Sequence, residues 1–256
     1  MDKIEIFKEQ EIPYDILRQL GLNQEMMDDL PEHVKNRLLS GRTTPVMPVV
    51  TKNEDGELIR SMAQIALVRK MDRNVDVMLM PAWDAYDLSE FEEEEQRAVL
   101  AGRVTTADVA GKGRCYIQFD DSINQVMFVP VGVINKNIST LANTYGWHEL
   151  DDMAMKDGDV VPVEVKNEIF SVGIDLNAST GIRIVHGNER NWKEDVKGER
   201  MPNYSFGIYG CWITDDYNHM TYVPEEDYDE KILNEQKRAA QQNVAASRFQ
   251  QMRQTY

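Results

Sequence analysis

The feature that most constrains the fold is a short pattern in which a helix end, a glycine and a β-prone run follow one another. It occurs as Leu38-Leu39-Ser40-Gly41-Arg42-Thr43-Thr44, and it returns in residues 99–106 around Gly102 and Arg103. A fainter copy, residues 155–161, contains Gly158. Glycine adopts a positive φ at no steric cost just past a helix C-terminus, and Thr and Val favour strands. We therefore predict three helix-to-strand transitions, at Gly41, Gly102 and Gly158.

Each glycine is followed by short β-prone runs that turn-forming residues separate, which is typical of an antiparallel meander. The shared Leu-small-Gly-Arg-x-Thr core of the first two copies favours an internal duplication. The alternative is chance, because glycine is common after helices. The intervals between the glycines match no common solenoid unit.

These patterns predict an α+β fold in which helix-then-antiparallel-meander units repeat between an N-terminal helical module and a C-terminal helix. In the module, Gly21 is expected to end one helix and Asn23 to cap the next. Ser89 is the expected N-cap of the helix that opens the second unit. The predicted segments are the N-terminal helical module (1–44), the first β-meander (45–87), the second helix-plus-meander unit (88–135), the third helix-plus-meander unit (136–187), an irregular and strand segment (188–224) and the C-terminal helix (225–256).

The charge balance of the chain limits the kinds of partner that it can bind. The chain has 44 acidic and 28 basic residues in 256, a formal net charge of −16. A field of that sign repels phosphate, so direct nucleic-acid binding is not expected. The helical module has the size of a DNA-binding helix-turn-helix, and residues 35–37 offer Lys, Asn and Arg. The acidic residues Asp28, Asp29 and Glu32 argue against that interpretation.

Cysteines and hydropathy bear on the compartment. Cys115 and Cys211 lie in apolar, aromatic runs and are expected to be small buried residues, with nothing to indicate an oxidising compartment. No stretch approaches the length of a membrane span, and the first residues lack the apolar core of a signal peptide. We expect a cytoplasmic protein without a membrane partner.

No standard catalytic or cofactor-binding motif is present. The chain lacks a phosphate-binding loop, a dinucleotide motif, zinc-ligand spacings and a nucleophile elbow. Gly111-Lys112-Gly113 between two strands is interpreted as a hairpin turn. His148 with Asp151 and Asp152, and the pair Asp215-Asp216, are interpreted as chance surface groups rather than acid–base machinery. We predict no catalytic residue, no cofactor, no metal and no enzymatic activity. A deep pocket with two carboxylates would count against this prediction.

A family resemblance adds a biological setting. Residues 11–17, Leu20-Gly21-Leu22, Leu30-Pro31 and the Leu-Leu-x-Gly-Arg motif that ends at Arg42 resemble the opening of uncharacterised proteins from conjugative and other mobile elements of Bacteroidetes. The resemblance extends over residues 9–185 and is most specific in the first 45. The family has no established activity, so no site residue is transferred. The resemblance implies a mobile-element or phage protein in the bacterial cytoplasm.

Two functions fit the acidic charge. The first is a non-enzymatic adaptor with a protein partner, which needs an apolar patch with a polar rim. The alternative is a DNA-mimic decoy that inhibits a host nuclease or restriction system, which needs carboxylates spaced like phosphates on one face. Acidic residues concentrate at 90–95 and 225–230 and are mixed with basic ones between, which favours the adaptor.

The C-terminal segment is the predicted site of partner binding or self-association. Its apolar stripe is too thin for a core, although it contains large residues near a chain end. Burying such a side chain contributes about 1.5–3 kcal/mol, which a partner would recover. The alternative is a helix docked on its own domain through Ile232 and Leu233. The candidate partner-binding residues are Ile232, Val244, Phe249 and Met252.

Overall fold

The chain alternates short helices with small antiparallel sheets. The computed structural model describes residues 6–52, 55–147, 149–165, 167–197 and 201–253, with their side chains except at 149, 150, 196, 197 and 242–253. These ranges contain eight α-helices and four three-stranded sheets, each with its strands in chain order. The predicted α+β class, with N-terminal helices and a C-terminal helix, is confirmed.

The N-terminal module consists of three short helices, α1 (Tyr14–Gln19), α2 (Gln24–Asp28) and α3 (Glu32–Leu39). Asn23 caps α2 as predicted, because its Oδ1 accepts a hydrogen bond from the backbone N–H of Met26 at 2.9 Å. The apolar faces of the helices pack on the first sheet, so the module has no separate core.

The first sheet contains β1 (Met47–Lys52), β2 (Leu58–Arg69) and β3 (Val75–Pro81). The central strand β2 is buried on both faces. Ile65 and Leu67 belong to the core with the N-terminal helices, whereas Ala66 packs with Ile123 of the second unit. The odd and even residues of one strand therefore connect two packing layers.

The second unit comprises α4 (Glu93–Leu100), β4 (Thr105–Val109), β5 (Gly113–Asp120) and β6 (Gln125–Pro130). The predicted N-cap at Ser89 is wrong. The N-cap is Glu92, whose N–H donates to the Glu95 carboxylate at 3.0 Å in a capping box. The helix starts later because the chain first turns back at Leu88 to bury Phe91.

The third unit contains two helices before its sheet: α5 (Val131–Tyr145), α6 (Glu149–Lys156), β7 (Val161–Val165), β8 (Glu168–Ile174) and β9 (Ile182–His186). We did not expect α5, which crosses the boundary placed between residues 135 and 136. Its β-branched residues favour a strand by local propensity, but Ile134 and Ile138 are about one helical turn apart and both are buried.

Residues 188–224 are more regular than the expected irregular and strand segment. They form α7 (Glu189–Lys197) and a fourth sheet of β10 (Tyr204–Phe206), β11 (Gly210–Thr214) and β12 (Met220–Pro224). The fully buried Trp212 joins this sheet to the N-terminal core, and its Nε1–H donates to the Met26 carbonyl at 3.0 Å. Three to five residues per strand give too little periodicity for a sequence-based assignment.

The last helix, α8, runs from Glu230 to Arg253, 24 residues, or about 36 Å of helix. It packs on β10, and among its described side chains, residues 230–241, Ile232 is the buried one. No helix in the described part of the chain is long and apolar enough to cross a membrane.

The three predicted glycine turns follow helix ends with φ of +71°, +74° and +93° at Gly41, Gly102 and Gly158. In each, the glycine N–H bonds the carbonyl three residues earlier, and the next N–H bonds the carbonyl five residues before itself. This pair of bonds is the Schellman motif. The repeated sequence pattern therefore encodes one repeated backbone structure.

Candidate functional site

A cleft opens where the first three units meet. It consists of two adjoining cavities of about 130 Å³ and 490 Å³. The larger volume is in the range of small-molecule sites. Both cavities are lined by Arg37, Thr43, Gly102, Gln118 and Asn177, so α3, the second glycine turn, β5 and the loop after β8 all contribute.

An ionic network forms one wall of this cleft. Arg183 is 2% exposed, and its guanidinium lies 2.7 Å from both the Asp175 and the Asp195 carboxylates. Its other face stacks on Trp192, with Cζ 3.5 Å from the ring centroid. Arg42 also contacts Asp195, at 2.9 Å. Two cations and two carboxylates therefore balance in this wall.

The ionisation of Asp195 reflects both burial and its partners. Burial opposes the charged carboxylate, but Arg42 and Arg183 together hold the pKa of Asp195 below its usual value. Burial lowers the pKa of Arg183, which stays a cation at neutral pH because arginine titrates so far above it.

A third arginine, Arg37, is partly buried at the centre of the cleft. Its Nε–H donates to the Thr43 carbonyl at 3.1 Å. Among the residues that the structure describes, no carboxylate lies within 4.0 Å of its guanidinium. Burial, and then the charge of Arg42, lowers the pKa of Arg37 to about 10, which leaves it charged at pH 7. Arg37 thus faces the cleft instead of the exposed helix face that DNA reading requires.

Aspartates recur just after the central strand of each sheet. In each case Oδ1 accepts the backbone N–H two residues later, an Asx turn that helps the chain return for the third strand. The four pairs of aspartate and N–H donor are Asp72 with Asn74 at 3.0 Å, Asp120 with Ser122 at 2.9 Å, Asp175 with Asn177 at 3.1 Å and Asp215 with Tyr217 at 2.9 Å.

The Asp120 turn lies in the larger cavity beside Asp121. Ser122 Oγ–H donates to Asp120 at 2.5 Å and accepts a hydrogen bond from Gln64 Nε2 at 2.6 Å. Burial raises the pKa of Asp120. Two carboxylates in one cavity are the arrangement that counts against a non-enzymatic protein. The same turn forms at Asp72, which does not line either cavity, so the position of Asp120 is explained by its turn.

The repeated motif residues have different surroundings. The carbonyl of Gly41 accepts the N–H of Ser179 at 2.7 Å, which joins the first unit to the third. A Cβ on Gly158 would lie 3.0 Å from the Val104 carbonyl of the second unit. Gly102 lines the cleft with open space around its Cα, and Arg103 is exposed. Of the two motif arginines, Arg42 contributes to the cleft and Arg103 does not.

The acid–base candidates that the structure describes make local contacts. His148 lies outside the described residues, and Asp152 pairs with Lys156 at 2.7 Å. Asp215 accepts the N–H groups of Tyr217 and His219. The described residues contain no group of three or more His, Cys, Asp or Glu arranged to hold a metal. Gly111 lies in the β4–β5 hairpin turn, as predicted.

Cysteine placement agrees with the sequence. Cys115 and Cys211 are both buried and free. Burial raises the pKa of the Cys211 thiol to about 11, which makes it unreactive at neutral pH.

A second feature is a turn that sequence reasoning missed, residues 206–210 between β10 and β11. The buried carboxylate of Asp29, 6% exposed, accepts the N–H groups of Ile208 at 2.6 Å and Tyr209 at 2.9 Å. It also accepts the hydroxyl of Tyr222 at 2.7 Å. This Asp29-clamped turn presents Ile208, 79% exposed, to solvent. No local signal links Asp29 to a turn so far along the chain.

The Asp29-clamped turn adjoins the C-terminal segment. The Tyr209 carbonyl accepts the N–H of Glu225 at 3.0 Å, and the Phe206 ring contacts Tyr228 edge-on. Of the candidate partner-binding residues, Ile232 is buried. Leu233, which the alternative of a docked helix also names, is 39% exposed. The side chains of Val244, Phe249 and Met252 lie outside the described part of the structure.

Comparison with known proteins gives one match. Residues 7–89 match a family described as Protein of unknown function (DUF4099). The match spans the N-terminal helices and the first sheet, less than half of the chain. Comparisons with curated proteins and with solved structures gave no match. The match supplies no activity, so a function has to be argued from the geometry.

Proposed function

We propose that this protein is a non-enzymatic adaptor that binds a protein partner through the Asp29-clamped turn and α8. The observation that supports it is the low burial of α8. From Glu230 to Gln241, Ile232 is the buried side chain, although the helix continues to Arg253. An amphipathic helix with a thin docked face is a common element of peptide-in-groove recognition.

The exposed tip of the Asp29-clamped turn strengthens this proposal. Two hydrogen bonds from the backbone of the turn to Asp29 hold it, and the Tyr222 hydroxyl fixes the same carboxylate, so Ile208 is ordered before any partner arrives. Pre-organised apolar side chains lose little conformational entropy on binding, which makes them effective anchors. The bond between Glu225 and Tyr209 places the start of the C-terminal segment beside this anchor.

Two truncations test the role of α8. A chain that ends after Gln241 keeps the docked Ile232, whereas one that ends after Pro224 loses it. We expect both to lose the partner or the self-association, measured by light scattering and by affinity capture with mass-spectrometric identification. An identical mass and an identical set of captured proteins in the Gln241 truncation would refute the role of α8.

A point variant tests the turn. Ile208→Ser removes the apolar tip without touching the Asp29 hydrogen bonds, which use the backbone. The matched control is Met71→Ser, a fully exposed methionine in the turn of the first sheet. We expect weaker partner binding for Ile208→Ser alone.

The setting we propose is a mobile genetic element or phage in the bacterial cytoplasm. It rests on the resemblance of the N-terminal segment. Co-purification of the captured partner with mobile-element proteins tests this setting, and a partner encoded only in the chromosome would contradict it.

The second candidate is a DNA-mimic decoy, which the net charge of −16 and the exposed Glu92–Glu94 run favour. The C-terminal helix weakens it, because residues 236–253 carry four basic and no acidic residues. Competition separates the two functions. A decoy displaces DNA from its target enzyme and loses affinity steeply with salt, whereas an adaptor does neither.

A further inference from the structure

We propose that the cleft between the first three units binds a small oxyanion that carries hydroxyl groups, with Arg37 as the anion anchor and Asn177 as the hydroxyl acceptor. This site is separate from α8 and from the Asp29-clamped turn, and it does not depend on the adaptor function.

Arg37 differs from the other two arginines of the cleft in its charge partners. Arg42 and Arg183 are paired with Asp195 and Asp175, whereas Arg37 has no carboxylate within 4.0 Å in the described structure. A partly buried guanidinium without a counter-ion is unfavourable, and a bound anion removes that penalty. Asp120 and Asp121 line the larger cavity as well, so the cationic character of the cleft is confined to the guanidinium of Arg37.

The guanidinium of Arg37 is held in an orientation that suits an oxyanion. The bond from Nε of Arg37 to the Thr43 carbonyl fixes the plane of the guanidinium. Its two terminal nitrogens donate no hydrogen bond to the described residues and belong to a side chain that lines both cavities. A planar fork of N–H donors matches the oxygens of a carboxylate or a phosphate.

Two side-chain amide oxygens of the larger cavity lack hydrogen-bond donors among the described residues. Asn177 Oδ1 and Gln64 Oε1 are buried without a hydrogen-bond partner, and both side chains line the larger cavity. Buried acceptors require donors, which hydroxyl groups of a ligand supply. Gln118, in contrast, has a partner for its amide oxygen, which accepts from Leu176 N–H, and its Nε2 donates to Asp175. The Asp120 carboxylate is engaged by Ser122.

The volume limits the ligand. A cavity of about 490 Å³ admits a hydroxy acid or a sugar phosphate but not a nucleic-acid strand. Both ligand types share one chemistry, an oxyanion with hydroxyl groups, and the test separates them.

The test is isothermal titration of the full chain with citrate, ribose 5-phosphate and inorganic phosphate. We expect saturable binding of citrate or ribose 5-phosphate, and the one that binds more tightly identifies the anion. Inorganic phosphate, which has no carbon-borne hydroxyl groups, is expected to bind more weakly. Saturable binding of neither organic probe, or inorganic phosphate binding equally well, would overturn the proposal.

Variants locate the site. Arg37→Met is expected to weaken binding at least tenfold. Asn177→Ala is expected to weaken it severalfold and to keep the Asp175 turn, because that turn uses the backbone N–H of residue 177. The matched control is Arg103→Met, the exposed arginine after the second glycine turn, with unchanged binding expected. Circular dichroism checks folding. If Arg37→Met does not fold, Asn177→Ala decides, and unchanged affinity in the folded variant contradicts the assignment.

Discussion

The guanidinium of Arg42 lies 2.9 Å from the Asp195 carboxylate, although 153 residues separate them in sequence. Arg42 follows the first glycine turn, and Asp195 lies on α7, after the third sheet. The same carboxylate contacts the buried Arg183. The Asp195 carboxylate therefore joins α7 to the first unit and is shared by two arginines.

Asp195→Asn should be more destabilising than Arg42→Met. The first leaves Arg42 without its carboxylate partner and Arg183 with Asp175 alone, whereas the second leaves Asp195 paired with Arg183. We expect losses of about 2–3 kcal/mol and about 1 kcal/mol in the free energy of unfolding. Urea denaturation at pH 7 measures both, with the exposed Asp216→Asn as control. Equal losses would show that the two arginines do not share Asp195.

The Asp195 effect should depend on pH. The folded-state pKa of Asp195 is depressed, so its stabilisation is complete above the unfolded value of about 3.9 and is lost as pH falls through the lower, folded value. The difference between wild type and Asp195→Asn should shrink as acid is added below about pH 4. A constant difference from pH 7 to pH 3 would contradict an ionic contribution.

For Asp120→Asn, the effect on the free energy of unfolding should have the opposite sign to that of Asp195→Asn. Burial raises the folded-state pKa of Asp120, so ionising it costs stability once the pH rises above the unfolded value. Asparagine keeps an Oδ1 to accept from Ser122 and carries no charge. We expect Asp120→Asn to be neutral or more stable at pH 7, with the gain vanishing near pH 3. Thermal unfolding across this range measures it, and a clear loss at pH 7 would mean that the charge itself is required.

Alanine substitutions at two of the glycine turns should destabilise the fold to different extents. Gly41→Ala and Gly102→Ala both force a positive φ on alanine, at about 1–2 kcal/mol. At Gly41 the new Cβ would also lie 2.5 Å from Ser179 Oγ, whereas at Gly102 it would meet open space. We expect Gly41→Ala to cost about 1–3 kcal/mol more than Gly102→Ala, the range of overpacking. Denaturant midpoints compare them, and equal costs would exclude close packing at Gly41.

The hydrogen bonds of the Asp29-clamped turn predict that Asp29→Asn destabilises the fold more than the same change at the neighbouring Asp28. Asp29→Asn removes one of two acceptor oxygens and leaves buried donors unpaired, at about 1–3 kcal/mol. The exposed Asp28→Asn should change the free energy of unfolding by less than about 0.5 kcal/mol. Hydrogen exchange at the Ile208 and Tyr209 amides should accelerate in the first variant only. Unchanged exchange there would show that the turn holds without Asp29.

Local sequence was sufficient to predict the elements that neighbouring residues determine. A glycine past a helix end adopts positive φ regardless of distant residues, so Gly41, Gly102 and Gly158 were predicted correctly. The Asn23 cap succeeded for the same reason. Ser89 failed as a cap because burial of Phe91 decided where the helix begins, and α5 was missed because packing overrode the β propensity of its isoleucines.

By itself, then, the sequence determined the α+β class, the repeated helix–glycine–strand turns and the acidic charge, since each depends on residues close together in the chain or on composition. Tertiary structure determined the cleft and the Asp29-clamped turn. Arg37 lacks a carboxylate only because Asp175 and Asp195 pair elsewhere, and Asp29 meets Ile208 across 179 residues. Such groupings depend on how the units pack, and no short-range pattern in the chain encodes which distant charge or amide a side chain will meet.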